Sequence, residues 1–152
     1  MTVEGVKAYF RGNGLEYRIL EFDESIETVE LAAQALGVRP ELIAKTLAFK
    51  VKDRGVLVMT KGDARIDNRK FKDQFQVKAK MMSPGEVLQK TGHPVGGVCP
   101  FGLKEDMEIY LDASLKRFEQ VYPAAGSKNS CIEIMPEELC RITGAQWVDV
   151  CK

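Results

Sequence analysis

Apolar positions along the chain fall into two spacings. At the N-terminus Val3, Val6 and Phe10 recur three and four apart, the spacing of one helix face. Thr2 is placed to cap that helix and Asn13-Gly14 to stop it. Residues 15–22 are rich in aromatic and branched side chains and predict a strand. Thr28 predicts the cap of a second helix over residues 29–36, with Gly37 where a C′ glycine belongs. Pro40 opens a short helical turn. Residues 44–51 and 56–60 predict two strands joined by the turn Lys52-Asp53-Arg54-Gly55, an antiparallel hairpin. Asp67 predicts the cap of a short helix through Phe71.

The sharpest local signal is Ser83-Pro84-Gly85-Glu86, with Ser at the cap, Pro at N1 and Glu at N3. It predicts a helix to about residue 90, ended by Thr91-Gly92. Further on, the pattern predicts strands over residues 107–112, 121–124, 131–135 and 146–150. It also predicts helices over residues 113–118 and from Pro136 to Gly144, with a small-residue turn at residues 125–129. Hairpins mixed with short helices, without an internal repeat, predict an α/β (mixed α+β) fold: a curved mixed β-sheet flanked by short helices. The 152 residues are expected to form a single domain, 1–152, around one core.

One stretch fits neither spacing. Residues 91–102, Thr-Gly-His-Pro-Val-Gly-Gly-Val-Cys-Pro-Phe-Gly, combine glycines that free the backbone with prolines that fix it. Apolar Val95, Val98, Cys99 and Phe101 suggest buried flanks. Two readings stand open: a structural turn that needs glycine for space, or a loop whose N–H groups hold an oxyanion or a carbonyl. No Gly-Lys-Ser/Thr follows, so it is not a P-loop, and it is not a G-x-G-x-x-G dinucleotide fingerprint.

Composition adds an asymmetry. The net charge is zero, yet residues 45–80 hold 11 basic and 4 acidic side chains while residues 1–44 hold 4 basic and 8 acidic. Such a block either steers a polyanion to one face or forms a solvated face balanced by other segments. Within it, Arg65, Arg69, Lys70 and Lys72 are candidates for phosphate contact. Lys45 stands in a strand whose alternation puts it on the face of Leu47 and Phe49, unusual for a lysine. It either snorkels to water or aims a positive charge into a pocket.

Other chemistries find little support. The single histidine, His93, sits between Gly92 and Pro94, and no G-x-S-x-G accompanies it. Cysteines 99, 131, 140 and 151 lack C-x-x-C spacing, so no metal site is expected. Reduced thiols are the expectation, without excluding a disulfide. Cys99 as a nucleophile requires a neighbour that lowers its pKa. No apolar run reaches the roughly 20 residues that span a bilayer. The N-terminal residues lack a signal-peptide pattern, so a cytoplasmic protein without membrane partners is expected.

Taken together, Ile43-Ala44-Lys45-Thr46-Leu47, Gly62-Asp63-Ala64-Arg65-Ile66-Asp67, residues 95–102, Ala124-Ala125-Gly126 and residues 132–139 resemble the YbaK/EbsC type of aminoacyl-tRNA-editing domains. Relatives include the editing insertion of bacterial prolyl-tRNA synthetases. The resemblance covers nearly the whole chain. It places the family's K-T-L lysine on Lys45 and its G-x-x-x-P loop on Gly96 to Pro100. Ala124-Ala125-Gly126 stands where many members carry Ser-Gly-Gly or Ser-Ala-Gly. Cys131 stands where some carry Asp, which puts the chain nearer the EbsC-like branch.

The resemblance implies a trans-acting deacylase that removes a mischarged small amino acid (Ala, Ser or Cys class) from tRNA, without a cofactor. Its implied catalytic residues are Lys45, Gly96 and Gly97, with Val98, Cys99, Pro100, Ala125 and Gly126 at the substrate. Arg65, Arg69, Lys70 and Lys72 are implied at the acceptor end of the tRNA. An aminoacyl-tRNA synthetase is a further candidate partner. Val95, Val98, Phe101 and Phe22 are expected as pocket walls. A non-catalytic module binding aminoacyl-tRNA or a nucleotide is the alternative reading.

Overall fold

A computed structural model describes residues 2–152. The side chain of Thr2 lies outside this description, and with it the expected cap. The elements, in chain order, are α1 (Thr2–Gly12), β1 (Leu20–Glu21), α2 (Val29–Leu36), β2 (Ile43–Val51), β3 (Arg54–Lys61), α3 (Asn68–Phe75) and α4 (Pro84–Thr91). Then follow β4 (Glu108–Asp112), β5 (Tyr122–Pro123), β6 (Ser130–Cys131), α5 (Pro136–Thr143) and β7 (Gln146–Val148). Single 3-10 turns cover Pro40–Leu42 and Ala113–Leu115.

Five strands form one mixed sheet in the order β5-β2-β3-β4-β7. Only the β2–β3 hairpin is antiparallel in it; β5 joins β2, β4 joins β3 and β7 joins β4 in parallel. Strands β1 and β6 pair separately. Both faces of the sheet are covered, as parallel pairing requires. Leu57, Met59, Ala44, Ala48 and Leu111 face one side, against Phe10 of α1, Val87 of α4 and the Cys99–Phe101 segment. Phe49, Val51, Val56 and Val58 face the other, against Phe71 and Phe75 of α3. The period-two alternation of β2 and β3 thus feeds two cores at once.

Local signals set most helix boundaries. Thr28 accepts the N–H of Leu31, and Gly37 ends α2 in the left-handed conformation. Ser83 and Glu86 form both halves of the capping box. Asp67 caps α3, which continues to Phe75, past the expected Phe71, because Phe75 adds a second aromatic turn to the core.

The weaker expectations shift. Of residues 15–22 only Leu20–Glu21 pairs; Leu15, Tyr17 and Ile19 pack onto the core without a strand partner. The hairpin turn is Lys52-Asp53 alone, since Arg54 already pairs with Val51. The helix expected over 113–118 shrinks to one 3-10 turn. The strand expected over 131–135 reduces to β6 and a bridge between Ile134 and Val121. The closing strand stops at Val148, and the Val150 N–H is taken by the Asp112 carboxylate. No helix among the described residues is long and apolar enough to cross a membrane.

Candidate active site

A cavity of about 240 Å³ opens beside the N-terminal half of β2. Its location follows from what covers the edge of that strand. Parallel β5 covers residues 43 and 44, and the 80–82 segment covers residues 48–50. There the Ala48 C=O accepts the Met82 N–H, and the Lys50 N–H donates to the Lys80 C=O. Backbone groups alternate sides along a strand, so the N–H and C=O of Thr46 also point away from β3, into the uncovered gap. The Thr46 hydroxyl is buried without a partner among the described residues. Around this gap stand Ile26, Val29, Ala32 and Leu36 from α2 and its approach, with Tyr122 of β5.

Lys45 lines the cavity, and its Nζ donates to the Ala64 C=O at 2.6 Å. Burial lowers its pKa, although Cys151, Asp63 and Glu30 work against the shift. The lysine is half-buried and held by one carbonyl, with donors left over for a ligand.

The glycine-rich loop forms the opposite kind of wall, one made of backbone. Pro94 to Gly97 make a β-turn, with Gly97 N–H donating to Pro94 C=O at 2.9 Å and Gly96 at φ 94°. Gly96 lines the cavity; a Cβ there meets the Glu27 Cβ at 2.8 Å. Gly97 faces the second small-residue turn instead. Its Cβ would lie 2.7 Å from Ser127 N and C, and its C=O accepts the Gly126 N–H. Gly97 is therefore glycine for contact between two loops, and its N–H is already committed. Among the described residues no hydrogen bond uses the N–H of Gly96, Val98 or Cys99. Gly96 and Val98 are the loop residues that line the cavity.

Of the other expected substrate residues, Cys99 is fully buried beneath the loop, and burial pushes its thiol up to about 12. It has no thiolate at neutral pH; His93 Nε2 lies 3.6 Å from its Sγ, but that nitrogen carries its proton toward the Phe101 C=O and so is not a base for the thiol. Pro100, Ala125 and Gly126 are buried behind the wall, and Ala124 takes the lining position. Among the expected walls only Val98 lines the cavity: Val95 is exposed, Phe101 packs on Phe10, and Phe22 packs into the α2 core.

His93 closes the base of the loop. Its Nε2 lies 2.7 Å from the Phe101 C=O, which only accepts, so Nε2 carries the proton. Its Nδ1 is buried without a partner among the described residues, and burial lowers the pKa of the ring.

The expected phosphate contacts divide. Arg65, Arg69 and Lys72 are exposed, and no ion pair among the described residues engages them. Arg65 directly follows the carbonyl that holds Lys45. Lys70 is bound to Asp149 and to the Cys151 C=O, an internal tie between α3 and the C-terminal segment. Sequence reasoning missed the α2 wall and Glu27 because both reach the cavity through tertiary packing. Among the described residues no group of three His, Cys, Asp or Glu could hold a metal.

The sequence profile of the aminoacyl-tRNA editing domain family matches residues 23–142. The uncharacterized protein YwhH of Bacillus subtilis is 49% identical over 154 residues, covering 100% of this chain and 98% of that protein. A protein of Enterococcus faecalis named "Putative Cys-tRNA(Pro)/Cys-tRNA(Cys) deacylase EbsC" is 27% identical, covering 88% of this chain and 84% of its own. A proline–tRNA ligase of Bacillus licheniformis is 34% identical over 70% of this chain, which matches 18% of the ligase. The crystal structure of "a putative trans-editing enzyme for prolyl tRNA synthetase" superposes with a TM-score of 0.92 at 29% identity, covering 99% of this chain and 96% of the other.

Two outcomes follow from the loop. Gly97→Ala forces the two turns apart and lowers stability by about 1–3 kcal/mol, read as a lower urea midpoint. For His93 the folded pKa lies below its ordinary 6.5. Its contribution is full above that value and declines as pH falls below it, because the unfolded chain then binds more protons. Between about pH 7 and about pH 5 the Tm of wild type is expected to fall more steeply than that of His93→Gln.

Proposed function

The chain belongs to the aminoacyl-tRNA editing domain family, and we propose that it acts in trans as a deacylase. It hydrolyses the ester between the tRNA 3′ end and a wrongly attached small amino acid of the Ala, Ser or Cys class. The observation that carries this reading is the cavity itself, with apolar walls, one lysine and uncommitted backbone N–H groups on one loop.

Ester hydrolysis needs an attacking water and a place for the negative charge that develops on the carbonyl oxygen. The N–H groups of Gly96 and Val98 supply that place. They are fixed before substrate arrives, because the turn is closed by Pro94 and the loop base by His93. Lys45, anchored on Ala64, holds a terminal phosphate electrostatically or donates to an oxygen of the aminoacyl ester. No histidine or activated thiol lines the cavity, so the ribose 2′-OH or the substrate amine positions the water. Arg65, Arg69 and Lys72 lie free for the acceptor-stem backbone.

Size decides selectivity. Val29, Ala32, Leu36, Ile43 and Val98 bound the space, so a small side chain enters and a larger one does not. Deacylation of mischarged tRNAs tests the proposal. Wild type releases one or more small amino acids, and Lys45→Ala slows the reaction roughly tenfold to a hundredfold. Cys99→Ala leaves it largely intact. Tight tRNA binding without any release contradicts the proposal and supports a binding module.

A further inference from the structure

An aminoacyl ester carries an α-ammonium group as well as a carbonyl, and nothing above gives that charge a partner. Two charged side chains line the cavity, Lys45 and Glu27. Glu27 is therefore the one acidic residue among those that line the cavity, its side chain also open to solvent at the rim.

Its position is constructed. The residue precedes the α2 cap Thr28, and its Cβ lies over the bare Cα of Gly96. A side chain at Gly96 displaces Glu27 from the loop that carries the free N–H groups. Ser25 Oγ donates to Glu27 Oε2 at 3.0 Å and accepts the Glu27 N–H at 3.2 Å, so the carboxylate is held by a local ring. The backbone beneath is pinned as well, with the Ile26 N–H on the Lys128 C=O at 2.7 Å. Lys128 Nζ stands 3.9 Å from Oε2, a long, exposed pair of little strength. Glu27 Oε1 has no partner among the described residues.

We propose that Glu27 receives the α-ammonium of the aminoacyl group, a role that rests on the deacylase reading. The nitrogen is two bonds from the ester carbon. Holding it beside Gly96 orients the carbonyl oxygen toward the N–H groups of Gly96 and Val98. The site then distinguishes an amino acid from a hydroxy acid or an uncharged acyl group of the same size. The charge on the ligand does this, where the apolar walls read only volume.

The test compares Ala-, Ser- and Cys-tRNA with their α-hydroxy counterparts, in which OH replaces NH₃⁺ at nearly equal size. Rates are divided by the uncatalysed hydrolysis of each ester. Wild type is expected to favour the amino esters. Glu27→Gln, which keeps the Ser25 contact, is expected to lose about tenfold to a hundredfold on them and little on the hydroxy esters. Ser25→Ala, which only frees the carboxylate, shows a smaller loss of the same selectivity. Equal losses on both series overturn the ammonium role while the deacylase stands. If wild type cleaves neither series, the deacylase reading falls. Binding of 3′-amide-linked analogues then decides alone: preference for the charged analogue, lost in Glu27→Gln, keeps the ammonium site, and equal binding removes it.

Discussion

One contact holds the candidate site together: the bare Cα of Gly97 against the backbone of Ser127, locked by the Gly126 N–H on the Gly97 C=O. Through it the 94–98 turn and the 125–130 turn become one wall. The second turn also holds the approach to α2, through Asn129 Nδ2 on the Phe22 C=O and the Phe22 N–H on the Asn129 C=O. Three segments far apart in the chain thus share a single backbone scaffold. The donors of Gly96 and Val98 gain fixed directions from it, and preorganised donors are what a developing oxyanion requires.

Strand β2 divides its work along its length. Its C-terminal half is core, with Phe49 and Val51 packed under α3. Its N-terminal half is an edge left open between β5 and the 80–82 segment, and there the cavity forms. Lys45 belongs to the alternation that buries Phe49, so a one-residue slip in register removes both from their places. The hairpin with β3 fixes that register through residues on both faces of the sheet.

Much of this was legible in the sequence wherever the physics is local. Thr28 with Gly37, and Ser83 with Glu86, satisfy their own helix ends and need no distant partner. The β2–β3 hairpin is set by neighbouring residues in the same way. Lys45 stood out because a lysine among alternating apolar residues needs a reason. The glycine-rich loop was visible, but the separate duties of Gly96 and Gly97 were not. One is set by Glu27 and the other by Ser127, each more than 25 residues away. Lys70 read as a phosphate contact because its partner Asp149 lies at the other end of the chain. Leu15 to Ile19 have strand composition, but their apolar side chains are used in packing on the core and the pairing with β6 begins only at Leu20.

The most direct test of this account is a structure, or residue-resolved NMR shifts, of the protein with a 3′-amide-linked alanyl-adenosine, an uncleavable mimic of the charged tRNA end. The account predicts the alanyl group between α2 and the open edge of β2, its carbonyl on the N–H groups of Gly96 and Val98, with Lys45 in contact. An alanyl group bound elsewhere, such as the groove between Lys7, Arg11, Tyr17 and Glu21, contradicts it.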